Sequence, residues 1–431
     1  LSKIIARKHI LKLPFIMLGM LIGSVFEVIG LSLVIPMMDV ITSPSKGEVV
    51  ELLDEYYPGL SSNSVIFLTL TLFASFYVLK GIYLVFLARI SGRFSYGIKA
   101  NINDQLMQKY LNGPYDFHLK NNSSQLIRNI TTETDQLVVN TLNPIITLTT
   151  ECIVIVSIVI FLMILEPLGT IIVVSLLFVF SLIFQRLIKN TIAYLGKTRQ
   201  YADGLIIQVA QESIGGIKEV KILSREKNFL EHFSKHNKSS SVASSQQFMW
   251  SQIPRMYLET VGVLALSVLL LFLTINAQNT LGVIPTLSVF ALAAFRLLPS
   301  ASRILSSLNA LRFSSTVVIN LEEQLNTVST FPIQTEYKNG TSHSTSFSKN
   351  IEIQNLFYQY PNSENPSLNN ISLSIKKGES IGIIGKSGVG KSTLLDIILG
   401  LLVPQSGSIL VDGRNIYDNL VDWQQKIGYV P

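Results

Sequence analysis

IGIIGKSGVGKSTLLDIILG, residues 381–400, is the stretch that decides how the rest of the chain is read. An apolar run with strand character, Ile381, Ile383 and Ile384, breaks into a glycine-rich turn, and Lys391, Ser392 and Thr393 open an apolar helix that stops at Gly400. The spacing is a full GxxxxGK[ST] phosphate loop, Gly385, Lys386, Ser387, Gly388, Val389, Gly390, Lys391, Ser392, Thr393. Its glycines lack the Cβ that would block positive φ, so successive N–H groups can converge on one phosphate chain. Lys391 offers a point charge to the β- and γ-phosphates, Ser392 a hydroxyl to Mg²⁺, and the helix its positive N-terminal end. A chance glycine turn would lack the flanking strand and helix. The expected ligand is a nucleoside triphosphate.

The composition says where such a site is carried. The 431 residues are 48% hydrophobic and 14% charged, with a mean hydropathy of +0.42. That is too apolar for an ordinary soluble protein and points to a membrane class. The net charge of +6 lies in the connections between apolar segments and forms no single patch, so topology explains it better than nucleic acid does. A lone cysteine, Cys152, excludes an internal disulfide and is expected to be a small core residue. The first residue is Leu1, so the start is expected to be incomplete. The first apolar stretch is too long for the apolar region of a cleavable signal peptide.

Apolar runs of spanning length lie at about 13–38, 65–87, 145–165, 168–188, 253–275 and 281–298, each near the roughly 20 residues that cross a bilayer core. Lysine and arginine concentrate in the leader and in two long connections, 89–140 and 186–255, while 41–64 carries Lys46 against Glu48, Glu51, Asp54 and Glu55. The positive-inside rule then puts both ends, both long connections and the phosphate loop in the cytoplasm. Helical periodicity persists into both connections, with turn chemistry at Asn112, Gly113 and Pro114 and at Gly215 and Gly216. Residues 49–57 read either as an amphipathic helix on the outer membrane surface or as a loop packed on the helix ends. The expected layout is a membrane domain over 1–321, a polar linker over 322–349 and a nucleotide-binding domain over 351–431. In the last, 351–360, 371–375, 408–412 and 426–430 read as strands.

Six spans, two long basic connections, a linker and a phosphate loop together resemble the ATP-binding cassette exporter family, as a half-transporter, over almost the whole chain. The resemblance implies a fold, an α-helical six-span membrane domain followed by the N-terminal part of an α/β nucleotide-binding domain. It implies ATP and Mg²⁺ as cofactors, with Ser392 on the metal. Tyr360, in FYQYP, matches the aromatic that stacks on adenine; the plainer reading is a strand-end tyrosine. The stretch from Tyr115, Asp116 and Phe117 to Arg128 and Asp135, and residues 215–233, look like the family's coupling regions. KIGYVP at 426–431 matches the lead-in to its glutamine loop. The signature motif, Walker B aspartate, catalytic glutamate and switch histidine are not in this sequence. A fragment lacking roughly 140 to 150 residues is therefore expected, inactive as it stands, with a truncated inactive protein as the alternative.

Residues 253–262 and 287–305 look like the subfamily of lipid-linked oligosaccharide flippases and surface-polysaccharide transporters. That implies a homodimer in a bacterial inner membrane, handling membrane lipid and an amphiphilic, lipid-linked saccharide. Other cargo, such as a drug, a peptide or a lipid A-like glycolipid, stays open, as does a non-enzymatic membrane protein that only binds nucleotide. Arg296 lies inside an apolar span, where an arginine is costly without a partner or a watery cavity. It is expected to pair with Glu27, Glu151 or Glu259, or to meet an anionic pyrophosphate. Arg303 is expected to snorkel.

Overall fold

The computed structural model describes residues 11–33, 37, 62–276, 283–329, 347–361 and 363–430. The amphipathic stretch 49–57 and residues 330–346 lie outside them. The chain divides into two compact units, one from Leu1–Met107 and Ser124–Asn326, the other from Gln108–Ser123 and Thr327–Pro431.

The first unit is helical. Its long helices are α1 (Leu13–Ser32), α2 (Ser62–Asn112), α6 (Asn143–Leu165), α7 (Pro167–Gly215), α9 (Glu226–Asn276) and α10 (Val283–Phe313). Between α2 and α6 come the short helices α3 (Tyr115–Lys120), which belongs to the second unit, α4 (Ser123–Arg128) and α5 (Thr134–Leu137), and α8 (Ile217–Ile222) follows α7. Two π-helical turns, Asn129–Glu133 and Val138–Leu142, flank α5. Among the described residues five helices are long and apolar enough to cross a membrane, and a sixth is reached if α10 and the helix after it are taken as one bent span. Most of the residues in these spanning segments are not buried within the protein. Phe67, Val85, Leu187 and Phe295 are all exposed, as suits a surface whose solvent is hydrocarbon and whose backbone is satisfied within each helix.

Inward-facing rows hold the bundle together. Val154, Ile158 and Leu162 of α6 meet Leu269 of α9 and Ala293 and Leu297 of α10. Farther along, Phe184, Ile188, Ile192 and Leu195 of α7 meet Leu258 of α9 and Leu305 and Phe313 of α10. One glycine makes the closest approach possible: a Cβ on Gly196 would stand 2.0 Å from the Phe313 carbonyl oxygen. At Ser314 the chain bends by 46° into α11 (Ser315–Ser329), and the Ser314 hydroxyl donates to the Asn140 carbonyl at 2.7 Å.

Three sequence expectations change here. The helix runs past Glu322, where a linker was expected, because Val317, Leu321 and Leu325 continue one buried row at helical spacing. Cys152 is exposed on α6 and is no core residue; apolar neighbours in sequence do not fix which face of a spanning helix is inward. Arg303 does not merely snorkel: its Nε donates to Glu151 Oε1 at 2.5 Å.

The second unit carries a four-stranded antiparallel sheet in the order β2-β1-β3-β4, from β1 (Asn350–Tyr358), β2 (Leu368–Lys376), β3 (Ser406–Val411) and β4 (Arg414–Asn415). Ile353 pairs with Leu373 on one side and Ile409 on the other. One face of that ladder, with Ile353, Leu356 and Ile409, packs on Leu394 and Ile397 of α12 (Lys391–Ile398) and on Trp423 of α13 (Leu420–Gln424). The Trp423 indole donates to the Ile398 carbonyl at 2.7 Å, so its polar atom is satisfied where its rings are buried. Residues 381–384 and 426–430, expected as strands, join no ladder among the described residues, and Lys426 closes a turn through its N–H to the Trp423 carbonyl at 3.0 Å. A strand exists only as part of a ladder, and Ile384 and Val430 stand 96% and 89% exposed.

Candidate functional site

The phosphate loop is built from the end of β2 outward. After Lys376 the chain turns at Gly378, passes through 379–385 outside any ladder and closes a tight loop before α12. Gly388 and Gly390 have φ of +82° and +98°, a backbone conformation that costs other L-residues about 1–2 kcal/mol. At Gly390 there is also no room, since a Cβ would lie 2.3 Å from the Ser367 carbonyl oxygen. Gly390 then caps α12 through its carbonyl, which accepts from the Leu394 N–H at 2.9 Å. The N-terminal turn of α12 therefore faces the loop.

Lys391 folds back into this concavity. Its Nζ donates to the carbonyls of Gly385 and Lys386, both at 2.8 Å, which fixes the cation inside the ring formed by the loop. Ser392, next along, is exposed, whereas Thr393 is buried beneath. Tyr360 stands over that inner position: its hydroxyl lies 3.3 Å from Thr393 Oγ1. Its ring meets Tyr358 edge-on, with centroids 5.0 Å apart and planes at 88°. The residues 385–393 and Tyr360, separate in sequence, are thus brought to one end of α12.

These residues fit a triphosphate with its cation. The loop offers backbone donors, folds Lys391 back into the concavity, has no room for a side chain at Gly390, and leaves the Ser387 and Ser392 hydroxyls exposed. Among the described residues no cluster of three metal-binding side chains occurs. Ser392, exposed at the N-terminus of α12, is the side chain here that could reach a phosphate-bound Mg²⁺, which takes few protein ligands.

Sequence reading missed several contributors. The Tyr358 hydroxyl donates to Asp116 Oδ1 at 3.1 Å, so the tip formed by α3 joins the same unit as the sheet. Burial first, and then the Asp116 charge, push the Tyr358 phenol well above its usual range. Burial also raises the Asp396 carboxyl on α12 and holds the Tyr417 phenol up at about 12. Asp412, at a turn with φ of +48°, accepts from the backbone N–H groups of Ser348, Lys349 and Asn350 and from the Ser348 hydroxyl. Those donors, Ser348 N–H foremost, hold its carboxyl far below the usual carboxylate range. An aspartate before a turn glycine is a weak sequence signal for such a clamp; Tyr358 gave none beyond its aromatic ring.

Arg296 belongs to the first unit and has a partner. Its Nη2 lies 2.8 Å from Glu27 Oε1, while Lys80 Nζ lies 2.9 Å from Glu27 Oε2. Of the three carboxylates considered, Glu27 is the one; Glu151 pairs with Arg303 and Glu259 with Arg255. Deeper burial goes to a group that sequence reading did not single out. Glu133, fully buried at the end of a π turn, lies 3.6 Å from Arg128 and 3.8 Å from Arg199.

The family profile described as ABC transporter transmembrane region matches residues 13–298. The chain belongs to the ABC transporter family. A second profile, described as ABC transporter, matches residues 368–431. Over 336 residues the chain is 23% identical to the ATP-dependent lipid A-core flippase of Wigglesworthia glossinidia brevipalpis, covering 77% of this chain and 55% of that protein. A shorter stretch of 223 residues is 30% identical to the protein of the same name from Pseudomonas syringae pv. tomato, covering 52% and 36%. A 109-residue stretch is 38% identical to the alpha-hemolysin translocation ATP-binding protein HlyB of Escherichia coli O157:H7, covering 25% and 15%. This ABC transporter chain spans about half the length of the first relative and less of the other two. Its two profile matches fall on the apolar helical bundle and on the stretch from β2 to the end, so each half is matched by its own profile.

Proposed function

We propose that this chain is the membrane domain and phosphate-gripping part of an ATP-driven exporter that moves an amphiphile across a bacterial inner membrane, a lipid-linked saccharide being the favoured cargo. The supporting observation is Lys391, held by two loop carbonyls at the mouth of a glycine-shaped concavity, in a chain whose other half is apolar spanning helices. When bound, ATP with Mg²⁺ supplies the free energy of phosphoryl transfer. Lys391 would release the Gly385 and Lys386 carbonyls to hold the phosphates, and the loop amides from Gly388 to Thr393 would cradle them. Ser392 gives its hydroxyl to the metal. Tyr360, braced by Tyr358 and Thr393, offers its ring to adenine. Two copies act together, with both termini and the phosphate loop in the cytoplasm. The Asp116 to Tyr358 hydrogen bond ties one helical tip to the end of β1, two residues before Tyr360, which suits passage of movement from nucleotide to helices.

Lipid A-core flippases among the relatives support a lipidic cargo over a peptide. In the full-length protein reconstituted into vesicles, Lys391→Ala is expected to abolish ATP-dependent transport while membrane insertion persists. Parental ATP-driven transport by Lys391→Ala refutes the site. Parental protein that binds but never hydrolyses ATP refutes the pump in favour of a nucleotide-binding membrane protein. Stimulation of hydrolysis by peptide and not by glycolipid overturns the cargo.

A further inference from the structure

Between α6, α7 and α10 lies a cavity of about 310 Å³ that no part of the proposed transport cycle uses. Along α7 it is lined from Val174 to Gln185, and along α10 from Leu297 to Leu308. At the rise of an α-helix, either wall is about 16 Å long, a length that one extended hydrocarbon chain can follow. Only Ser181 and Gln185 among the lining side chains are polar, and Gln185 lies at one end.

That end is closed by a cation. Arg312 follows Leu308 by one helical turn on α10, and its Nη1 donates to the Gln185 carbonyl at 3.3 Å and to the Gln185 side-chain oxygen. Gln185 in turn donates to the Leu305 carbonyl at 3.3 Å. Among the described residues no carboxylate lies within ion-pairing distance of Arg312, and its other donors make no hydrogen bond. An apolar slot therefore ends in a half-buried, uncompensated guanidinium, whose planar fork suits phosphate. Apolar cavities stay dry and take apolar guests. In a bilayer the guest at hand is an acyl chain.

We propose that this slot holds one acyl chain of an anionic phospholipid, with the phosphate at Arg312. The inference rests on the helices lying in a bilayer and not on the export reading, so it survives if no transport is found. The full-length protein, equilibrated with mixed phosphatidylglycerol and phosphatidylcholine and then delipidated stepwise, is weighed by native mass spectrometry. One phosphatidylglycerol per chain should persist in the parent and in Leu187→Phe, which alters an exposed position on α7. It should be lost in Ala301→Phe, which fills the slot, and Arg312→Gln should lose a tenfold or greater preference for phosphatidylglycerol. Equal lipid retention by Ala301→Phe, or no headgroup preference in the parent, overturns the proposal. A second measurement needs no variant: phosphatidylglycerol carrying a photoreactive acyl chain should label peptides containing Leu182 and Leu308. Labelling elsewhere, or capture of a second copy of the chain by a photoreactive residue at Leu308, refutes it.

Discussion

Removing Glu27 should destabilise the bundle more than removing either cation it holds. Glu27 is 5% exposed and takes Arg296 at 2.8 Å and Lys80 at 2.9 Å on its two oxygens. The three together carry one net positive charge. Glu27→Gln raises that to two, with both attractions lost and the cation repulsion unopposed. Arg296→Met lowers it to zero and leaves a neutral Glu27 and Lys80 pair. Breaking a buried pair so that charge is stranded costs about 3–5 kcal/mol, whereas a loss that leaves a complete pair costs about 1 kcal/mol. For a large helical unit this puts the melting temperature of Glu27→Gln on the order of 10 °C below the parent, and that of Arg296→Met only a few degrees below. The assay is thermal unfolding of each full-length variant in one detergent, followed by cargo transport in vesicles. If Arg296→Met melts below Glu27→Gln, the charge argument is wrong. If Arg296→Met melts like the parent yet transports nothing, Arg296 serves the cargo and its pairing with Glu27 is incidental.

Two further outcomes follow from contacts already described. Gly196→Ala sets a methyl group where the Phe313 carbonyl stands 2.0 Å away; overpacking of this kind costs about 1–3 kcal/mol, so the full-length protein should melt several degrees lower, and an unchanged melt would show that α7 and α10 do not meet there. Asp412 has its carboxyl held below the usual range by the donors at 348–350, so its contribution is present above about pH 4 and fades as pH falls through the lower folded value. Asp412→Asn should therefore be less stable than the parent at neutral pH, with the gap closing in acid; a gap that is constant with pH, or absent at neutral pH, excludes the clamp.

What was legible in the sequence was what is local. The phosphate loop could be read because Gly385 to Thr393 are contiguous and their chemistry needs no distant partner, and the spanning helices because length and apolarity suffice. Pairing was the part that sequence could not settle. Arg296 called for a carboxylate, yet three offered themselves, and only the packing of α1, α2 and α10 selects Glu27 and adds Lys80. The same limit explains the strands: 351–360 and 408–412 read correctly in outline because β1 and β3 find each other, whereas 381–384 has equal strand character and no ladder. Cys152 shows the converse limit, since in a chain whose surroundings are as apolar as its interior, hydrophobicity no longer tells inside from outside.

The polar exceptions in the bundle carry more information for that reason. Glu133 is fully buried with Arg128 and Arg199 beside two π turns, a kind of helical irregularity that recurs where a helix must bend or serve. Arg199 also lies 2.8 Å from Asp203, which accepts from the Ser240 hydroxyl on α9. Such a network holds α7, α9 and the connection before α6 in one arrangement, because stranding any member leaves a buried charge unmatched. It lies in the segments that continue the spanning helices toward the basic connections. The ion network thus ties α7, α9 and the connection before α6 to one another more specifically than their apolar faces do.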